Sequence, residues 1–360
     1  MKIAIDVSQI IYGTGVSVYT KNLIRYLLKI DKDNDYILFG GSLRRRQELH
    51  SILNSFESER VKTSIFPFPQ TIADVIWNKL HILSVEKLIG KIDVLHSSDW
   101  TQPPSKAFKV TTIHDLVPVK YPKLSDPKLV KTHGSRFKRV IKEADRIIVP
   151  SLATARDVER MGILRDRIRV IPEAVDPIFK PAKKWEVNKI KKKYRISDKF
   201  LIAVGVNPRK NIQRVIDAYE KIKSDEHLKL VVIGHPFLKI DIPRGVRFLG
   251  HIDTSELPVL YTAAEALVYP SLYEGFGLPI LEAFSCKLPV ITTNSGSMAE
   301  VGGRAAVLVN PYDTDAIADG IRKALKDKKI LENKGLNRAM DFSWEKTAKQ
   351  TLQVYKEYIV

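Results

Sequence analysis

The sequence predicts an α/β protein with two doubly wound parallel sheets in tandem. Three observations predict it. Short, almost continuously apolar runs rich in β-branched residues alternate with helical stretches along the chain, as parallel strands buried on both faces and joined through helices require. At 360 residues the chain exceeds what one hydrophobic core comfortably holds. A charged segment with two prolines, DPIFKPAKKW at 176–185, separates the runs into two series.

The first series is Lys2–Val7, Tyr36–Phe39, Val61–Phe66, Asp93–His96, Val110–Ile113, Arg146–Val149 and Arg169–Ile171. The second is Phe200–Gly205, Leu228–Gly234, Val246–Leu249, Ala266–Pro270, Pro289–Thr292 and Ala305–Val309, and a last helix is expected over Trp344–Val360. The expected domains are therefore 1–178 and 185–344, two Rossmann-like units facing a central cleft, with 175–185 as the linker.

The apolar fraction of 44% and charged fraction of 28% place the chain with ordinary globular proteins. No apolar run approaches the length that spans a bilayer. MKIAIDV reads as a short strand, not the apolar core of a secretory signal. The lone Cys286 excludes an intramolecular disulfide framework, so a reducing cytoplasm is expected. The net charge of +18 is spread over both halves of the chain, with a region of concentration between Lys120 and Arg146 that holds nine basic and three acidic residues. Phe137, Val140 and Ile141 recur there at helical spacing, so an amphipathic helix with a basic face is expected. A solvated face, peripheral contact with an anionic membrane surface and nucleic-acid binding compete as readings. Nucleic acid is not an expected partner, because neither zinc-finger spacing nor an aromatic-basic RNA motif is present.

Open α/β sheets bind ligands beyond the carboxyl ends of their strands, and the candidate residues lie at such ends. In Tyr273–Phe284, YEGFGLPILEAF, Glu274 precedes Gly275 and Gly277, whose backbones can approach a ligand closely. Pro279 suits the first helical position, which puts Glu282 in the opening turn. The two carboxylates then flank a helix mouth suited to an anion. In Gly205–Asn211, GVNPRKN, Asn211 reads as an N-cap before a helix over Ile212–Ile222, with Arg209 and Lys210 just ahead of it. A pyrophosphate there would meet N–H donors and two cations, although no G-x-G-x-x-G is present.

Gly13–Val16 forms a glycine loop between the first strand and a helix over Tyr19–Leu28. His114, beside Asp115, ends another strand, and His96 ends a third as a weaker acceptor-side candidate. His50, His81, His133, His227, His235 and His251 show no ligand spacing. With one cysteine and no H-E-x-x-H, no metal site is expected. Asp31-Lys32-Asp33 has the D-x-D form of metal-dependent sugar transferases but reads as a polar turn. Leu249–Ile252 precedes a helix over Ser255–Tyr261, and Glu300 reads as a packing or capping residue.

From Gly250 to Leu325 the chain combines ALVYPS, the two-glutamate segment, PVITT and NSGSMAEVGGRAAVLVNPYDTDAIADGI. This stretch resembles the donor-binding half of glycosyltransferase family 4, retaining nucleotide-sugar-dependent transferases of GT-B fold. Glu274 and Glu282 match the family's Glu-x7-Glu signature. The resemblance is weak before residue 110 and strong after 200. It lies nearest to bacterial mannosyltransferase-like members that build surface polysaccharides.

The resemblance implies transfer of a hexose, with mannose from GDP-mannose first and UDP-glucose or another UDP-sugar as the alternative, to a hydroxyl of a glycan or lipid-linked glycan. It implies no cofactor, since Arg209, Lys210 and the amides of Gly275, Phe276, Gly277 and Leu278 would hold the diphosphate in place of a metal. Glu274 would hold the sugar, Glu282 the ribose, and His114 the transferred sugar. Gly15 would lie near the donor's phosphates and sugar, and the backbone around Ile252 would border the base. The helix 345–360 would pack back on the first domain. A GT-B nucleotide-sugar epimerase and a basic nucleic-acid-binding protein are the other readings.

Overall fold

The computed structural model describes residues 1–223, 228–235 and 242–359; His227 and Val360 lie outside the described residues. The chain divides into two compact units, residues 1–173 with 344–360, and residues 174–343. Residues 174–178 thus belong to the second unit.

Each apolar run of the sequence forms a strand. The first unit holds β1 (Lys2–Asp6), β2 (Asp35–Gly41), β3 (Val61–Phe66), β4 (Val94–Ser97), β5 (Phe108–Thr112), β6 (Arg146–Val149) and β7 (Ile168–Val170). They form one parallel sheet in the order β3-β2-β1-β4-β5-β6-β7. Ile5 lies opposite Leu38 on one side and His96 on the other, so these strands end level with one another. Ile3, Ala4, Leu38, Leu95 and Val110 are fully buried, which explains why the runs are apolar throughout.

The second unit holds β8 (Phe200–Val204), β9 (Lys229–Ile233), β10 (Val246–Phe248), β11 (Ala266–Tyr269), β12 (Val290–Thr293) and β13 (Val307–Val309), parallel in the order β10-β9-β8-β11-β12-β13. Strand order reverses between β1 and β4 in the first sheet and between β8 and β11 in the second. Such switch points are where doubly wound sheets open a crevice for ligands.

Helix boundaries differ from the sequence reading at several places. The first helix spans Gly15–Ile30, not Tyr19–Leu28, because Thr14 caps it. The Thr14 hydroxyl accepts from Ser17 N and the Ser17 hydroxyl accepts from Thr14 N, a capping box made with serine. Gly15 is therefore the first helical residue, and Gly13, at φ +67°, makes the turn. The helix after the two-glutamate loop runs Leu278–Ser285, with Pro279 at its second position, so Glu282 lies one residue beyond the first turn. The helix expected at Ser255–Tyr261 runs Leu257–Ala263, and the last helix, Trp344–Lys356, ends in a 3-10 turn at Glu357–Ile359.

That last helix is fastened to the first sheet. Trp344 meets Tyr19 edge-on with ring centroids 5.7 Å apart, and Thr347 donates to Pro172 O at 2.8 Å. Glu357 accepts from Arg146 and from Arg169, the latter at 2.8 and 2.7 Å. His96 is the buried centre of this seam: Nδ1 lies 2.6 Å from the Tyr355 hydroxyl and Nε2 2.9 Å from Thr112 Oγ1. Burial, with repulsion from His114 and Arg136, depresses its pKa to about 3. His96 is thus a neutral, fully partnered core residue, which corrects its reading as an acceptor-side group. Tyr355→Phe leaves one imidazole nitrogen unpaired and should cost the first unit about 1–3 kcal/mol. A clear fall in its urea midpoint is expected; an unchanged midpoint would show that the seam contributes nothing.

Candidate active site

At the second switch point the loops after β8 and β11 meet. After β8 the chain turns at Gly205, φ +82°, where a Cβ would come within 3.1 Å of the Lys210 side chain. Glycine here leaves room for the lysine stem to lie across the strand end. Pro208–Lys210 forms a 3-10 turn, and Asn211 follows in the left-handed region at φ 62°. Asn211 precedes the helix Ile212–Glu220 but makes no side-chain cap. Its amide instead donates to Pro270 O at 3.1 Å and Pro311 O at 2.6 Å, tying the β8 loop to those after β11 and β13. The expected cap is a clamp between loops.

The clamp brings Arg209 and Lys210 onto Glu274. Arg209 Nη1 lies 2.5 Å from Glu274 Oε2, and Lys210 Nζ 2.7 Å from Oε1. Ser271 donates to Oε1 at 2.6 Å. Arg209 also donates to Tyr273 O at 3.1 Å, while Lys210 lies 4.7 Å above the Tyr269 ring and donates to its hydroxyl. Ser297, in the helix Gly296–Gly302, donates to Glu274 O at 2.7 Å. The sequence reading placed these cations and this carboxylate on one ligand, and the structure places them in mutual contact. Sequence reasoning missed Tyr269, Ser271 and Ser297; the first two lie in SLYEGFG and its preceding strand, where they read as core.

Burial alone would raise the Glu274 pKa, but Lys210 and Arg209 outweigh it and hold the carboxyl at about 2. Two cations against one carboxylate leave the mouth of the Leu278–Ser285 helix positively charged. Gly277, at φ +113°, occupies the cap without a side-chain hydrogen bond, which suits the close approach of an anion. Glu282 sits deeper, 3.2 Å from the Tyr261 hydroxyl. Ile252 is buried in the same core cluster as Leu260 and Phe276.

In the first unit, His114 follows β5. Its Nδ1 lies 2.7 Å from Glu173 Oε1, and its ring meets Tyr19 edge-on at 4.5 Å. Burial opposes protonation, yet the Glu173 hydrogen bond and charge lift its pKa above the ordinary imidazole value. Asp115, the neighbour read from sequence, accepts from Val117 N at 2.8 Å. The histidine's carboxylate partner is thus Glu173, 59 positions along the chain. Asp31 accepts from Tyr36 at 2.5 Å, Asn34 at 2.8 Å and Asp33 N at 3.0 Å, the structural turn expected of it.

The basic helix Pro127–Glu143 is only partly a charged face. Arg136 is fully buried, donating to Thr111 Oγ1 at 2.8 Å and Thr112 O at 3.0 Å. Arg139 donates to Asn78 O and Lys79 O, and Lys120 pairs with Asp157. Lys123, Lys128, Lys131, Lys138 and Lys142 remain exposed. Among the described residues no helix is long and apolar enough to cross a membrane, and no three His, Cys, Asp or Glu side chains gather as a metal site.

Two family models match nearly the whole chain between them: Glycosyltransferase Family 4 over residues 13–179 and Glycosyl transferases group 1 over residues 186–339. The chain belongs to glycosyltransferase family 4. It is 29% identical to the O-antigen chain mannosyltransferase B of Escherichia coli over 384 aligned positions, covering 99% of this chain and 100% of that one. It is 30% identical to the serotype-specific mannosyltransferase WbdA of the same species, over 66% of this chain and 32% of that one. Sucrose-phosphate synthase from Thermosynechococcus elongatus shares the fold with a TM-score of 0.74 at 20% identity, over 100% of this chain and 99% of that chain. The fold is GT-B, and the protein is a glycosyltransferase.

In this glycosyltransferase Glu282 carries a stability cost. Burial raises its pKa to about 7, against the pull of Tyr261 and Lys210. The unfolded chain loses this proton near pH 4.5, so from there to about pH 7 the folded state holds one proton more. Stability therefore falls as pH rises through that window. Glu282→Gln should stabilise the protein at pH 8, by up to about 3 kcal/mol, and by little at pH 4.5. Melting curves at the two pH values check this; equal effects at both would contradict it.

Proposed function

We propose that this glycosyltransferase moves mannose from GDP-mannose to a hydroxyl of a glycan or lipid-linked glycan, with retention of anomeric configuration and without a metal ion. The observation that carries the proposal is the contact of Arg209 and Lys210 with Glu274 at a helix mouth. A nucleoside-diphosphate sugar is the ligand whose charges and hydroxyls match this set. The similarity along its full length to an O-antigen mannosyltransferase supports mannose.

Breaking the bond between the anomeric carbon and the phosphate oxygen leaves negative charge on the diphosphate. Arg209, Lys210 and the amides of Gly275, Phe276, Gly277 and Leu278 stabilise it in a site that needs no reorganisation. Glu274 accepts hydrogen bonds from the hexose and faces its developing positive charge. Glu282 accepts from the ribose hydroxyls, and the backbone around Ile252 borders the base. The family resemblance supports roles for His114 at the transferred hexose and for Gly15 near the donor's phosphates and sugar. The acceptor oxygen bonds to the anomeric carbon, and its proton passes to the leaving phosphate on the same face, giving glycoside and GDP.

The work takes place in the cytoplasm, at the inner face of the membrane. The exposed lysines of the 120–146 region supply the attraction to anionic lipid, each contributing about 1 kcal/mol close to the surface.

Transfer from GDP-mannose, followed by NMR of the product, tests the proposal. The expected product is α-linked, formed equally in EDTA, with Arg209→Ala reducing kcat by about a hundredfold or more. A β-linked product, loss of activity in EDTA, or an unaffected Arg209→Ala enzyme would each overturn the part it addresses.

A further inference from the structure

Glu173 follows β7 and His114 follows β5, with β6 between those strands in the sheet. Beyond β7 the chain keeps its course along β6, since Ile171 N donates to Val149 O at 2.9 Å. Pro172 has no N–H to continue that pairing. Glu173 then reaches across the end of β6 to His114 Nδ1 at 2.7 Å, with the two side chains only 7% and 12% exposed. Tyr19 meets the imidazole edge-on, its hydroxyl 3.4 Å from Thr112 Oγ1. Glu173 is also the last residue of the first unit before the chain crosses to the second, and Trp344, against Tyr19, is the first after its return. A purely structural carboxylate here would pin the crossing and do nothing else.

Two observations point beyond pinning. Nδ1 is engaged, while Nε2 makes no hydrogen bond among the described residues and is not one of their buried unpaired atoms. One ring nitrogen is thus fixed and the other left for a ligand. The charges around the ring are also mostly negative. Glu173, Asp99 and Asp115 all favour its protonated form. His96 beside it is neutral, burial keeps Tyr19 un-ionised, and Arg136 lies 3.5 Å from Asp99. A histidine whose Nδ1–H is given to a carboxylate offers an acceptor at Nε2 when neutral and a donor there only when protonated. A lone imidazolium would oppose the positive charge that develops on a departing hexose. Paired with a carboxylate, it supplies a strong donor and no net charge.

We infer that Glu173 is the positioning residue of His114, holding Nδ1–H so that Nε2–H is presented as a charge-assisted donor to a hydroxyl of the transferred hexose. This role rests on the reading of His114 as a group at that hexose. It adds the ring's orientation, its protonation state and the residue that sets both.

Histidine NMR titration of the full chain tests it beside transfer from GDP-mannose, with the His114 signal assigned by its loss in His114→Ala. The parent's His114 midpoint should lie above the ordinary imidazole value and fall by about one pH unit or more in Glu173→Gln. Turnover should decline as pH rises through that midpoint, and in the variant the declining limb should move down with it. At neutral pH Glu173→Gln should lower kcat about tenfold and leave GDP affinity unchanged, while Glu173→Asp, which keeps the charge, should hold the midpoint nearer the parent's. In a His114→Ala background Glu173→Gln should cost no further activity, because it acts through the ring. A parent midpoint at or below the ordinary value, a midpoint unmoved in Glu173→Gln, or losses that add in the double variant would overturn the role; additive losses with a lowered melting temperature would make Glu173 a pin for the crossing. A His114→Ala enzyme as active as the parent would sink the reading of His114 at the hexose, and the donor role with it. The titration would still report whether Glu173 sets the charge of the ring.

Discussion

The contact on which the donor unit's chemistry depends is the burial of Glu274 between Arg209 and Lys210. A carboxylate taken out of water alone would take up a proton; with two cations and Ser271 around it, it stays ionised to about pH 2. The cations gain in turn, because their charges would otherwise repel at short range in a low-dielectric site. Neither loop could hold this arrangement unaided. The β8 loop is bound to the β11 and β13 loops through Asn211, Leu272 N donates to Arg209 O at 2.8 Å, and Ser297 supports Glu274 from the next helix. The surplus positive charge that results is fixed before any ligand arrives, and this is the preorganisation that makes electrostatic catalysis effective.

The same unit bears a cost deeper in. Glu282 is buried against the Tyr261 hydroxyl, and burial outweighs the pull of that hydroxyl and of Lys210, so its ionised form is disfavoured in the free protein. A site that binds hydroxyl-rich ligands gains from such a carboxylate while the fold loses stability by it, a common balance at binding sites. The first unit resolves its buried titratable groups differently. His96 is neutral and satisfied, joining the last helix to the sheet, whereas His114 is held toward its charged form by Glu173. Two histidines at neighbouring strand ends thus have opposite tasks, set by what each ring nitrogen meets.

Much of this was legible in the sequence because burial on both faces makes parallel strands uniformly apolar, and each such run is a strand. The switch-point loops were legible because glycine, proline and charge punctuate them. What stayed hidden was set by contacts distant along the chain. Glu173 lies 59 positions from His114, and nothing local marks it as a partner. Arg136 counted as part of a basic face, but it shares a helical stripe with His133, Phe137 and Val140 that faces the core. The first helix began early because serine stood where a capping box usually has glutamate or glutamine. Asn211 looked like a cap because the residue type and position were right, while its left-handed backbone turned the amide toward two other loops.

The central claim is a division of labour: the two cations hold the diphosphate and Glu274 holds the sugar. Calorimetric affinities of GDP and GDP-mannose for Arg209→Ala and Glu274→Gln test it most directly. Arg209→Ala should weaken both ligands alike. Glu274→Gln should leave GDP binding as strong or stronger, since it removes a competing anion, and should abolish the additional affinity that mannose provides. If Glu274→Gln weakened GDP as much as GDP-mannose, or Arg209→Ala left GDP binding intact, the division would be wrong.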